Sequence, residues 1–488
     1  MRVEVDLPQV RGPWVRFSWR QDAPNPRQRR NHWSIIYPGV PLGQVAPELL
    51  VEVFLAMQLP AFLGTTGPVD VRLPLPMPQP VLDWWRHYHA AERVRLGPAS
   101  SASGYRPLRP ARGLGARVSG GGRRERVAIT FGGGKDSTLA AEAVIDDVGA
   151  QNVVLLHGIN PFTLRRSALP SGALRSRRTI LAPYRRRGVR TATMLTDFLG
   201  NLTRDRTARP GVALYLTAGL PALLYHGCTE VTVSHTAGGY VVRRHPDGSP
   251  RWMNAQHRPE SLEALGAYYA DVLGVDLRPS STHFPISEFV SFATLRHQYP
   301  RAFGQMVMCM RATKASQRWC LDCKKCAEYA LFGLALGHVD PDFDYDTFLS
   351  GSAYVAGLVT HVQQSRQDGV RGNVPWAPAV GTRTHIAALY HAVHLLDPAL
   401  VADRLGPEAA RALEIVRDGF GQQPYSAVDV VPEAAARRAT SRPAHAVLAA
   451  AQRRGTPVVT EMPDGLLDGD EPADMRYDEM MPPIVPHG

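Results

Sequence analysis

Short apolar runs alternate with helical periodicity along most of the chain, and the character of the pattern changes more than once. At the N-terminus Val3, Val5 and Leu7 alternate with polar residues, which predicts a half-buried strand. Pro47 to Leu59 predicts a helix and Val69 to Leu75 a further strand. Trp84, Trp85, Tyr88 and His89 fall together on a short helical stretch, a clustering that fits core packing better than a ligand platform. From Gly97 to Gly122 the composition turns to Gly, Ser, Pro and Arg, which predicts a linker or surface loop.

Beyond that loop the pattern is that of a parallel α/β architecture. Strands are predicted at Val127 to Phe131, Val153 to Leu156, Thr191 to Leu195 and Glu230 to Ser234. Helices are predicted at Ser137 to Asp147, Ala213 to Tyr225, Ser261 to Leu273, Ser287 to Tyr299 and Ala327 to Leu336. The expected fold is a doubly wound, mostly parallel sheet, preceded by an N-terminal α+β region and followed by a helical region with helices at 378 to 396, 406 to 418 and 444 to 453. The expected divisions are 1–122, 123–340 and 341–457, with an acidic, Pro-rich tail over 458–488.

Composition changes this picture little. The 488 residues include 55 Lys and Arg against 44 Asp and Glu, a net charge of +11. Arginine is spread evenly, beside 41 Pro and 43 Gly, and the basic balance does not by itself argue for nucleic acid. The N-terminal segment lacks the basic-then-apolar profile of an export signal, and the longest apolar stretch, around Val212 to Tyr225, is interrupted by Pro221 and falls short of a bilayer span. A cytoplasmic protein with no membrane partner is expected. Lysine occurs only at Lys135, Lys314, Lys324 and Lys325, and four of the five cysteines fall within 18 residues.

The segment Val127 to Ala140 delivers an apolar strand into Gly132, Gly133 and Gly134, then into a helix that opens Lys135, Asp136, Ser137, Thr138. Glycines allow a sharp turn that exposes consecutive N–H groups, and a helix N-terminus adds positive potential, so the segment is a candidate anion cradle. Ser137 and Thr138 can donate to phosphate oxygens and Lys135 can neutralise one of them. The spacing is neither a Walker A loop nor a dinucleotide fingerprint.

The cysteines Cys309, Cys320, Cys323 and Cys326 follow a C-x10-C-x2-C-x2-C spacing. Four thiolates suit structural Zn²⁺; an iron–sulfur cluster and unmetallated thiols are the alternatives. Lys314, Lys324 and Lys325 would offset the thiolate charge. Cys228 stands apart, after an apolar helix, as a buried small hydrophobe or an acid/base thiol.

The loop resembles that of the PP-loop ATP pyrophosphatases, which are adenine nucleotide alpha-hydrolase-like (HUP-like) proteins, with Gly132 where that family has serine. The resemblance implies ATP held by its pyrophosphate end, adenylation at the α-phosphate, and Asp136 helping to hold Mg²⁺. Together with Trp319 to Cys326, the chain is similar to the MurL-type UDP-MurNAc-L-alanyl-L-glutamate epimerases over roughly residues 120 to 400. It departs from them at Ser234 to Gly239 and at Ala377 to Thr382.

The implied activity is ATP-dependent epimerisation: adenylation of a terminal carboxylate, removal of the α-proton, its return from the other face, and release of AMP. The substrate would be a small molecule or peptide with a free carboxylate, in the family a UDP-linked one. Inversion needs two acid/base groups, and the candidates are His235, His257, Glu288 and Cys228. Asp197 is a second candidate for Mg²⁺, and Arg165, Arg166 and Arg185 to Arg187 are candidates for an anionic substrate end. The alternatives are a ligase or cyano-deazaguanine-synthase-like enzyme that passes the adenylate to a nitrogen nucleophile, and a nucleotide- or RNA-binding module.

Overall fold

In a computed structural model of the protein, the described residues are 1–25, 28–62, 69–85, 103–107, 125–159, 171–201, 212–234, 242–244, 250–252, 259–283, 285–309, 318–352, 355–356, 392, 395–396, 405, 407–420, 431–437 and 439–459. The N-terminal part contains β1 (Arg2–Val5), β2 (Gln9–Arg11), β3 (Trp14–Gln21), β4 (His32–Ile36), α1 (Pro47–Phe62), β5 (Val69–Leu73) and β6 (Ser103–Pro107). There follow β7 (Arg126–Thr130), α2 (Lys135–Val148), β8 (Val153–Ile159), α3 (Ser171–Arg186), β9 (Arg190–Thr196), α4 (Val212–Tyr225) and β10 (Cys228–Val233). A small hairpin, β11 (Val242–Arg244) and β12 (Pro250–Trp252), precedes α5 (Pro259–Ala267) and β13 (Arg278–Ser281). The remaining helices used below are α6 (Glu288–Gln298), α7 (Lys324–Ala335), α8 (Tyr345–Gly351), α9 (Pro407–Phe420) and α10 (Arg442–Arg453).

The strands make one large, mostly parallel sheet in the order β13-β10-β7-β8-β9-β4-β3-β1-β5-β6, with β2 added beside β3. From β13 to β9 every pairing is parallel. Side chains of successive strand residues point to opposite faces, and β7 and β8 show what each face meets. Val127, Ile129, Val153 and Leu155 pack with Ala140, Ala141 and Val144 of α2 and Ile180 and Leu181 of α3. Ala128, Val154 and Leu156 belong instead to the core that holds Leu216, Leu220 and Leu223 of α4. Helices therefore cover both faces, which is why these strands read as unbroken apolar runs.

The N-terminal strands continue this sheet. β4 pairs antiparallel with β9, Ile35 opposite Thr196 and Ile36 opposite Leu195. The Asp197 carboxylate accepts from the Ser34 amide at 2.7 Å and lies 3.4 Å from an Arg30 guanidinium nitrogen, fastening the seam. Val15, Phe17, Trp33 and Phe54 share one core with α4, and the Tyr37 hydroxyl donates to the Ala218 carbonyl at 2.7 Å. The composition change near residue 122 therefore does not coincide with a break in the sheet or in its core. Alternation carries Val15, Phe17 and Trp19 inward along β3, whereas β1 ends at Val5 and leaves Leu7 exposed.

The third core is helical. Residues of α6, α7, α8, α9 and α10 pack together with Leu139 and Ala143 of α2, and Cys309, Cys326 and Trp319 lie within it. The predicted helices at 406 to 418 and 444 to 453 correspond to α9 and α10, while most of 378 to 396 and the tail after Val459 lie outside the described residues. Among the described residues no helix is long and apolar enough to cross a membrane.

One buried acid ties the N-terminal part to the helix after β12. Glu52 of α1 is fully buried and accepts from the Tyr268 hydroxyl at 2.5 Å and the Trp85 indole N–H at 2.9 Å. Burial pushes its carboxyl from 4.5 up to about 7, although both hydrogen bonds act the other way. A carboxyl raised in the folded state contributes stability that is complete below about pH 4.5 and is lost as pH rises through about 7. The loss should amount to about 3 kcal/mol. Urea unfolding across this range should show the decline in the wild type and a flatter profile in Glu52→Gln; parallel profiles would contradict it.

Candidate functional site

From β7 the chain moves through β8 to β9 on one side, then returns to place β10 and β13 on the other. The order reverses between β7 and β10, and in open α/β sheets the crevice outside the carboxyl ends of strands at such a point is where ligands bind. The glycine loop leaves β7 at that point. Gly134 is the N-cap of α2, and Lys135 is its first residue.

The three glycines have different reasons to be there. Gly133 has φ +76°, and a Cβ on it would lie 2.9 Å from the Ile180 side chain, so both backbone and packing exclude other residues. Among the described residues nothing lies within 4 Å of a Cβ on Gly132 or Gly134, the shape a cradle needs. The Gly132 amide donates to Ser137 Oγ, and Ser137 Oγ donates to the Gly134 carbonyl, each at 3.3 Å. Thr138 lies buried behind the turn. His157, at the carboxyl end of β8, donates from Nδ1 to the Phe131 carbonyl at 2.7 Å, and the Val307 amide donates to the Gly133 carbonyl at 2.8 Å. The loop is thus held from beneath while, among the described residues, its outer face stays open.

Beneath it lies a cluster of opposite charges. Lys135 is only 1% exposed, and its Nζ donates to both oxygens of Asp136 at 2.7 and 2.8 Å. Glu288, at the start of α6, is 3.8 Å from the same ammonium, and the buried Glu328 of α7 is 3.9 Å away. Lys325 donates to both oxygens of Glu328 at 2.8 and 2.7 Å, and Ser291 donates to Asp136 at 2.7 Å. Burial pushes Asp136 up, but Lys135, His283 and Lys325 outweigh it and hold the carboxyl below its ordinary value, so it stays ionised. Burial pulls Lys325 down, and Glu328, Glu288 and Asp136 more than offset that pull. Asp136 and Glu288 are the partly exposed carboxylates at the edge of this cluster, and that edge is where a cation could be met.

This geometry changes the role of Lys135. The sequence predicts an ammonium that neutralises a bound phosphate, but the side chain turns under the loop, because Asp136, Glu288 and Glu328 together offer the stronger field. Lys325 likewise engages Glu328, where the sequence predicts it to offset thiolate charge. The donors left for an anion are the loop amides after Gly132 and the helix N-terminus, since the Gly132 amide and the Ser137 hydroxyl are engaged within the turn.

The four cysteines form a metal-type cluster. Their Sγ atoms all lie within 4.8 Å of one another, with Cys320 to Cys326 at 3.8 Å and Cys323 to Cys326 at 3.6 Å. Tetrahedral Zn²⁺ with bonds of about 2.3 Å places its sulfurs about 3.8 Å apart, whereas a disulfide would bring two to about 2.0 Å. Leu321, between Cys320 and Cys323, holds φ +57°, an unfavourable turn for a branched residue that wraps the chain around the cluster. Burial pushes the Cys320 thiol up to about 12, and hydrogen bonding with Cys309 and Cys323 raises Cys326. A divalent cation reverses both shifts, so the donor set fits a structural metal such as zinc. Trp319 stacks on Tyr329 at 4.0 Å, with the Arg318 guanidinium 5.1 Å above the indole.

Of the predicted acid/base residues, the structure brings Glu288 to the loop. Cys228 is not brought there: it opens β10 at the opposite end of the sheet, in register with Arg126, about 16 Å of extended chain from the carboxyl edge. Burial also pushes its thiol up to about 12, which suits a core residue. Asp197 is engaged at the β4–β9 seam, and Arg187 pairs with Glu142 at 2.6 Å, away from the cradle's open side. His235, His257, Lys314, Arg165 and Arg166 lie outside the described residues. The sequence offers no separate signal for His283, fully buried after β13 with Nδ1 2.7 Å from Thr282 Oγ1, or for Glu328. Ser291 was legible in retrospect, three residues from Glu288 and so on the same helix face.

Dialysed protein should retain about one zinc ion per chain by elemental analysis, and Cys326→Ser should lose it; retention of full metal by that variant would contradict the assignment. Lys135→Met removes the charge shared by three carboxylates and should cost about 3–5 kcal/mol in urea unfolding, and a loss below about 1 kcal/mol would show the ion cluster to be dispensable. No protein-family model and no curated protein sequence matches the chain, so what the site does rests on its own geometry.

Proposed function

We propose that the protein is an ATP-dependent adenylating epimerase that inverts the α-carbon beside a free carboxylate, the L-glutamyl end of UDP-MurNAc-L-Ala-L-Glu or of a related peptide. The observation that carries this reading is the position of the glycine loop: at the carboxyl edge, at the strand-order reversal, open outward at Gly132 and Gly134 and backed by an ionised Asp136. The loop amides and the α2 N-terminus receive the pyrophosphate end of ATP. Asp136, held ionised at the partly exposed edge of the cluster, would hold Mg²⁺, which would supply screening of the phosphate charge.

The substrate carboxylate attacks the α-phosphorus, and pyrophosphate leaves toward the loop. Conversion of the carboxylate to an acyl-adenylate makes the α-proton more acidic, so a base near neutral pKa can remove it and an acid on the other face can return one. Water then releases AMP. Glu288 is the candidate group beside the loop among the described residues, its carboxylate 3.8 Å from Lys135 Nζ and partly exposed. A zinc ion held by Cys309, Cys320, Cys323 and Cys326 would have four thiolate ligands and would supply structure.

ATP–pyrophosphate exchange should appear only with peptides that carry a free terminal carboxylate, and the recovered peptide should carry solvent deuterium at the α-carbon. Exchange without deuterium would replace the epimerase with a ligase that passes the adenylate to a nitrogen nucleophile; salt-sensitive RNA binding without pyrophosphate release would replace the enzyme altogether. Gly132→Ala, which places a methyl group in the open cradle, should leave stability within about 1 kcal/mol and lower exchange about a hundredfold.

A further inference from the structure

We infer that the cysteine metal centre sets the geometry of the glycine loop through an alternating chain of charges, Lys325, Glu328, Lys135 and Asp136. Lys325 lies between two of the cysteines, Cys323 and Cys326. Cys323 is the N-cap of α7, and its carbonyl accepts from the amides of Cys326 and Ala327 at 2.9 and 3.0 Å. The first turn of α7 is therefore the same piece of backbone that carries two of the four sulfurs. A metal that fixes those sulfurs fixes the rotation of that turn, and with it the direction in which Lys325 and Glu328 project.

One turn further on, Glu328 receives Lys325 at 2.7 and 2.8 Å and stands 3.9 Å from Lys135 Nζ. Lys135 and Asp136 are the first two residues of α2, immediately after the glycines, joined by 2.7 and 2.8 Å bonds. Glu328 is wholly buried and Lys135 nearly so, so water cannot screen the intermediate link. A second strap runs in parallel: the segment entering Cys309 donates from the Val307 amide to the Gly133 carbonyl at 2.8 Å. Both approaches to the cysteine cluster thus end on the glycine loop.

Glu328 and Lys325 are accordingly positioning residues: they act on the loop and need not touch the ligand. The inference takes its functional importance from the nucleotide reading above, but its test does not require nucleotide. Amide hydrogen exchange over residues 131–140 reports loop order directly. In the metal-loaded wild type these amides should be protected, and removal of the metal with a chelator should raise their exchange at least about fivefold, the low end of ordinary site-to-site coupling. Glu328→Gln, with full metal by elemental analysis, should show the raised exchange already and respond to chelation less than the wild type does, through the Val307 strap that remains. Lys325→Arg, which keeps the charge, should behave as wild type.

Titration of the same proteins with Mg·ATP should show affinity lost in step with the exchange, roughly tenfold in metal-loaded Glu328→Gln. Should Glu328→Gln retain both its metal and a fully protected loop, or should chelation leave the wild-type loop unchanged, the inference is overturned. A wild type that binds no ATP while its loop still responds to metal would support the coupling and refute the nucleotide reading.

Discussion

The Lys135 ammonium is almost out of reach of water, and carboxylates from three helices converge on it: Asp136 on α2, Glu288 on α6 and Glu328 on α7. An isolated charge in such a position would be expelled or neutralised, and a carboxylate without its partner would fare no better. Each helix therefore fixes the others. The consequence is felt at the glycine loop, because Lys135 is the first residue after it and cannot move without breaking pairs that reach residues 288 and 328. The proposed role of the loop, to present several N–H groups to one ligand, gains from such a foundation, since its geometry is settled before anything binds.

Much of the architecture was legible in the sequence because apolar runs and helical periodicity are local signals. The strands later found as β7, β8, β9 and β10 and the helices α2, α4 and α6 follow from such runs. What stayed hidden was how the halves join. Nothing local in Ile35 and Ile36 announces that their partners are Thr196 and Leu195, some 160 residues away, so the N-terminal part reads as a separate region although it extends the same sheet. The short β13, Arg278–Ser281, was missed for a related reason: Arg-Pro-Ser-Ser has no apolar pattern and becomes a strand through pairing with β10.

The candidate site was legible where chemistry is written as a contiguous motif and illegible where it is assembled from distant parts. Four sulfurs in 18 residues and three glycines before a helix need no tertiary knowledge. The direction of Lys135 does, because the acids that turn it inward lie on α6 and α7 in addition to its own neighbour. The scarcity of lysine takes on a different sense as well. Lys135 and Lys325 belong to one ion cluster, and at Lys135 a compact ammonium on a flexible stem meets three carboxylates among which a planar guanidinium would have to choose by angle.

The seam between β4 and β9 has one more consequence. Without residues 1–62, β9 would be the last strand of the parallel sheet, with the backbone groups that now meet Ile35 and Ile36 turned to water beside apolar side chains. An uncovered edge of that kind is a template for pairing with another copy of itself. The N-terminal strands act as a built-in guard against self-association: they occupy the edge with a partner from the same chain and move the sheet's boundary outward to β6, away from the strands that carry the loop.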